Sequence, residues 1–126
     1  MGRNNILSGT VASVASDTAR IATQSGEFTV PMNDVKLGQD QNASFVISAD
    51  LVHISLDEIA EGNTAKCKLI SEEFVGSMVT LFLEDAQGHE FKVQMQEREL
   101  SKFDLHSGTE IWLSWDTQNA HVLAES

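Results

Sequence analysis

Four histidines, one cysteine and a surplus of carboxylates are the groups through which this chain could do chemistry, and their spacing limits what that chemistry can be. His53, His89, His106 and His121 stand far apart and form no HxH or HExxH pair, so the sequence predicts no metal site. The acidic pairs Asp57-Glu58, Glu72-Glu73 and Glu84-Asp85 fall at turns or strand ends. They lack the ordered run of oxygen ligands that a calcium loop needs and read as solvated surface. Cys67 is the only cysteine, which excludes an intramolecular disulfide. It lies in an alternating stretch and is expected to be an ordinary buried thiol, because a free cysteine packs as a small hydrophobe.

The nucleophile and phosphate motifs are also missing. No GxxxxGK[ST] loop, GxSxG elbow or GxGxxG turn occurs, and the many serines and threonines have no neighbouring base. The sequence therefore predicts neither a catalytic residue nor a cofactor.

Charge narrows the partners. Nineteen acidic residues against eight basic ones give a net charge of −11, and the basic residues are scattered. Binding to nucleic acid or to an anionic membrane relies on clustered Lys and Arg, so both are disfavoured. Apolar runs are as short as Leu81-Phe82-Leu83, and the N-terminus does not resemble a signal peptide, which predicts no membrane insertion and a reducing, cytoplasmic setting.

The elements that would position these residues read as strands. Ile6 to Val14, Ala19 to Thr23 and Glu27 to Pro31 alternate, with Gln24-Ser25-Gly26 as the turn between the second and third. Leu37-Gly38 leads into Ala43 to Ile47, and Leu51-Val52-His53-Ile54 gives one more strand. Residues 57–64 are polar and contain Gly62 and Asn63, which reads as a linker.

The second half repeats the first in outline. Lys66 to Phe74 pairs with Ser77 to Leu83; Gly88 to Val93 answers Gly26 to Val30; Gly108 to Leu113 answers Gly38 to Ile47; and Val122-Leu123 answers Val52 to Ile54. Leu100 and Phe103, three apart within 95–105, predict a short amphipathic helix. The predicted fold is all-β: OB-fold-like small barrels, as two tandem β-lobes with at most one or two short helices. The chain is read as a single unit over 1–126, with a lobe at 4–56, a linker at 57–64 and a lobe at 65–124.

On these residues the chain resembles the TOBE and Mop families. Asn5-Ile6-Leu7-Ser8-Gly9-Thr10-Val11 is similar to their first strand. Phe74-Val75-Gly76-Ser77, Gly88-His89-Glu90, Gly108, Ile111-Trp112-Leu113-Ser114-Trp115 and Val122-Leu123 follow the order of a second TOBE segment. That order resembles the C-terminal domain of ABC-transporter ATPase subunits that import polyamines, ferric iron, phosphonates and related solutes.

The resemblance implies a non-catalytic regulatory and dimerisation domain. Its partners would be a second copy of the same subunit and the ABC ATPase core, with the membrane permease engaged indirectly at the inner membrane. It implies an excised or split subunit, and Asp50, Phe74, Gly76, Trp112 and Trp115 become interface or regulatory candidates. Where many such ATPases carry Arg-Pro-Glu, this chain has Ser48-Ala49-Asp50. The alternative is a free-standing Mop-like binder of molybdate, tungstate or another small ligand, with Ser44, Ser48 and Ser55 as oxyanion candidates. The lysine such binders supply nearby is absent; Lys36 is the nearest before this strand.

Overall fold

The computed structural model of the chain describes residues 3–32 and 36–123. The end of the second lobe, placed at residue 124, lies outside them. The alternation read from the sequence folds as expected into β1 (Asn4–Val14), β2 (Thr18–Thr23), β3 (Gly26–Pro31) and β4 (Asn42–Ser48). After the short β5 (His53–Ser55) come β6 (Asn63–Val75), β7 (Met78–Asp85), β8 (Glu90–Gln96), β9 (Glu110–Trp115) and β10 (Ala120–Leu123). Among the described residues helix is limited to one α-turn, α1 (Glu97–Leu100), and two 3₁₀ turns at Ala49–Leu51 and Thr117–Asn119. Period-two burial is clear in β9, where Ile111, Leu113 and Trp115 are buried and the residues between them are not.

All strand pairs are antiparallel, and they form two curled five-stranded sheets with the orders β10-β4-β1-β2-β3 and β5-β9-β6-β7-β8. The fold is all-β and OB-like. Each sheet takes its fifth strand from the other half of the chain. The break at 57–64 thus separates the two sets of long strands but not the two sheets.

The internal repeat is visible in the bonding. His53 pairs with Ser114 of β9, and His121 pairs with Val46 of β4, at matching positions. Both long first strands carry a register shift at the same place, between Val11 and Ser13 in β1 and between Leu69 and Ser71 in β6. Leu69 exchanges bonds with the backbone of Gly108 and Thr109, and Val11 does the same with Asp40 and Gln41. Asp40, with φ of 69°, is therefore the structural counterpart of Gly108, not Gly38 as the sequence pattern suggests.

Two further segments differ from the sequence reading. Leu51 belongs to a 3₁₀ turn instead of a strand, because the chain must leave the first sheet there and cross to the second before β5 begins. The second lobe's first strand begins at Asn63, inside the predicted linker. The short helix lies where expected, with Leu100 buried and Phe103 half-buried.

One hydrophobic cluster spans both sheets. At its centre Trp115 of the second sheet lies 5.1 Å from the ring of Phe28 in the first and 6.4 Å from Phe91, while Phe28 meets Phe45 edge-on at 6.1 Å. Aromatic pairs at these separations are worth about 0.5–1.5 kcal/mol each beyond burial of their area.

Candidate functional site

The seam between the sheets is closed by two asparagines at matching positions. The buried side chain of Asn5, on β1, accepts from the Lys92 N–H at 2.6 Å and donates from Nδ2 to the Lys92 carbonyl at 2.8 Å. Asn63, on β6, does the same to Thr29, accepting at 2.8 Å and donating at 3.0 Å. β8 and β3 are the outer strands of their sheets, so each amide stands in for a missing neighbouring strand and satisfies edge groups that would otherwise be orphaned. In the sequence Asn5 stands out only through the family likeness of its strand, and Asn63 reads as linker. The signal that could have found them is an Asn opening the long first strand of each half.

The seven residues singled out in sequence along with Gly76 do not converge on one site. Ser44 forms a hydroxyl pair with its cross-strand neighbour Ser8 at 2.7 Å. The Ser48 hydroxyl donates to the Asp50 carboxylate, so those two are brought together in the 3₁₀ turn after β4. Ser55 accepts from the Asp57 N–H at 3.1 Å and donates to the Asp57 carbonyl at 3.0 Å. Each of these serines is engaged locally, and the nearest charge to Ser48 is a carboxylate.

The two tryptophans face opposite sides of β9. Trp115 is 3% exposed in the core, whereas Trp112 is half-buried on the outer face with the Lys66 ammonium 5.9 Å from its ring centre. Ser55 is the cross-strand neighbour of Trp112. Phe74 and Gly76 lie elsewhere, at the tip of the β6–β7 hairpin, where Gly76 takes φ of 61° to reverse the chain.

That hairpin is the most prominent apolar surface feature. Phe74 is 53% exposed and Val75 68%, with Ile70 exposed on the same long strand and Glu72 and Glu73 between them. Arg3 braces the hairpin, pairing with Glu73 at 2.7 Å and lying 5.5 Å from the Phe82 ring. Exposed aromatics of this kind mark contact surfaces.

The second polar concentration is the β7–β8 turn. Asp85 Oδ1 accepts from the N–H groups of Gln87 at 2.9 Å and His89 at 2.8 Å. Burial pushes the Asp85 carboxyl up. The Ser25 hydroxyl, the two N–H donors and the His89 imidazole outweigh that and hold it below its usual value. Burial, with Asp85 as a lesser cause, drives the Cys67 thiol to about 12, so it is not a nucleophile. Among the described residues no group of three or more His, Cys, Asp or Glu is placed to hold a metal, and no helix is long and apolar enough to cross a membrane.

Comparison with known proteins bears on this geometry. A TOBE domain family profile matches residues 49–123. That span contains every strand of the second sheet, including β5, together with β10. Comparison with curated proteins finds no match. Among solved structures, the fold is similar to that of the cytoplasmic molybdate-binding protein ModG in a crystal form with molybdate bound. The TM-score is 0.83 at 14% identity, covering 94% of this chain and 94% of that one.

Proposed function

The chain belongs to the TOBE domain family, and from that premise we propose that it is a non-catalytic regulatory and dimerisation module of an ABC importer ATPase. It would work in the cytoplasm at the inner membrane, in uptake of polyamine, iron or a related solute. The observation that carries the reading is the β6–β7 hairpin, which holds Phe74 and Val75 out from a core that does not need them. A module that assembles with a second copy and an ATPase core has a use for such a surface; a self-contained globule does not. Three exposed apolar side chains give only weak association by themselves. Attachment to, or assembly with, nucleotide-binding subunits would raise the effective concentration enough to make the contact count.

The test is sedimentation of the isolated chain over a concentration series, with Phe74→Ser and Val75→Ser alongside. The reading expects weak, concentration-dependent self-association that either substitution reduces without lowering the melting temperature. A chain that stays monomeric throughout, and does not associate with an importer ATPase subunit, contradicts it.

A second reading is a free-standing oxyanion binder, favoured by the whole-chain fold likeness to a molybdate-binding protein. The local chemistry weighs against it. Ser48 is committed to the Asp50 carboxylate, and five of the eight basic residues are already paired with carboxylates. A binder would gain stability as RT ln(1 + [L]/Kd). A melting temperature that climbs steadily with molybdate or tungstate, but not with chloride at equal ionic strength, would establish this reading over the first.

A further inference from the structure

We propose that the free edge of β6 over residues 71–75 is a strand-addition site for an extended segment of another polypeptide, one with two neighbouring basic residues beside two neighbouring apolar ones. The internal repeat marks this edge as an extension that the core does not require. In the first half β1 ends at Val14, directly after the register shift between Val11 and Ser13. In the second half β6 passes the matching shift between Leu69 and Ser71 and runs on to Val75. Residues 70–75 are all exposed, so the added length of this strand contributes little to the core.

Along that stretch β6 is bonded on one side only. β7 pairs with it as far as Val75 and Met78, but β9 stops pairing at Lys68, and the last backbone bonds on that side join Leu69 to Gly108 and Thr109. The Ser107 hydroxyl reaches the Ile70 carbonyl at 3.5 Å; beyond it, among the described residues, no backbone group other than those of β7 bonds to residues 71–75. Elsewhere the molecule answers its edges, with the Asn5 amide on β8 and the Asn63 amide on β3. An edge left open presents alternate N–H and C=O groups that an added extended chain satisfies. Arg3 steadies this one, pairing with Glu73 and lying over the Phe82 ring of β7.

Charge and register select the occupant. Glu72 and Phe74 stand opposite Leu81 and Val79 and share one face, while Ser71, Glu73 and Val75 share the other. Each face of the edge therefore offers a carboxylate and, two residues on, an apolar side chain. Glu72 has no ion pair among the described residues, and Glu73 is shared with Arg3. A complementary segment places basic residues opposite 72 and 73, the first counting most, and apolar residues opposite 74 and 75. A second copy brings the same carboxylates and another net charge of −11, so the glutamates turn it away from this edge while admitting a basic strand. The assignment rests on the reading of the hairpin as an assembly surface, and it gives the edge, as distinct from the apolar tip, to a partner other than a second copy.

The experiment is an NMR titration of the full ¹⁵N-labelled chain, at low protein concentration, with end-blocked peptides. Val-Val-Lys-Lys-Thr and its reverse, Thr-Lys-Lys-Val-Val, present the pattern in the antiparallel and parallel directions. One control replaces both lysines with glutamate. Two others methylate alternate backbone nitrogens, one set each, which keeps the side chains and removes the N–H donors. The proposal expects saturable shifts at the amides of residues 71–75 with one lysine peptide. Its glutamate form and one of its N-methylated forms should bind about tenfold more weakly or worse, and added salt should weaken the lysine peptide. Glu72→Lys, at an exposed and unpaired position, should reverse the preference towards the glutamate peptide with the fold intact. Self-association is read separately by sedimentation. No saturable shift with either lysine peptide, or equal binding by the glutamate form or by both N-methylated forms, overturns strand addition even where the chain self-associates through Phe74. Saturable, salt-weakened binding by a chain that stays monomeric upholds the edge site and removes the second copy from the assembly reading.

Discussion

At the residue scale, the pair Trp112 and Trp115 shows what was legible in advance. Alternation along one strand puts them on opposite faces, and that holds in the structure. Which one is buried depended on Phe28, a residue of the other sheet 87 positions away that no local pattern connects to Trp115. Cys67 was legible as a buried thiol because burial alone explains it. Its neutral form is favoured in the folded state, so its contribution to stability is complete below the ordinary thiol value of 9.0 and is lost as pH rises from there towards about 12. A thiol reagent should accordingly label the native chain only at the rate of opening. Fast stoichiometric labelling at neutral pH would show that the thiol is not enclosed.

Asp85 works in the opposite direction. Its folded value is lowered from 3.8, so its contribution is present above that pH and disappears as pH falls through the lower folded value. Acid unfolding curves of the native chain and Asp85→Asn should therefore differ above pH 4 and converge below it. Gly9 offers a steric test. A Cβ there would meet the Ala22 carbonyl oxygen at 2.0 Å, backbone that cannot swing aside, so Gly9→Ala should destabilise by at least the roughly 1–3 kcal/mol of an overpacked core.

At the scale of elements, the long strands were legible because half-buried strands announce themselves by period two. The exchange of β5 and β10 was not. Those strands are three and four residues long, too short for periodicity to register, and their partners are β9 and β4 of the opposite half. For the same reason Asn63 read as part of a polar linker: its function is to satisfy Thr29, which lies in the other sheet. Removing either seam amide leaves a backbone N–H and a carbonyl without partners. Asn5→Ala and Asn63→Ala should each cost roughly 2–5 kcal/mol in chemical denaturation. Because the two clamps join the same pair of sheets, the double substitution is expected to unfold the chain in a single transition. Two separated transitions would mean that the lobes are stable apart.

At the scale of the whole molecule, composition was informative about what the chain avoids. The net charge of −11, with most basic residues tied to carboxylates, leaves little positive potential for phosphate or nucleic acid. The same charge opposes self-association, since two copies repel. Moderate salt should therefore tighten pairing between copies by screening, the reverse of its effect on a contact made by opposite charges. The candidate site was the least legible part. Residues chosen from a family likeness fell on several elements, and the seam that joins the halves could be seen only once both sheets were in place.

The proposed role of this TOBE domain is that of an assembly module docking through the β6–β7 hairpin. Hydrogen exchange followed by mass spectrometry at low and high protein concentration, in moderate salt, tests it most directly. The claim expects amides of residues 70–79 to exchange more slowly at high concentration, with the edges of β3 and β8 unchanged and the effect abolished by Phe74→Ser. Hairpin amides that exchange at the same rate at both concentrations, alone and mixed with an importer ATPase subunit, would contradict it.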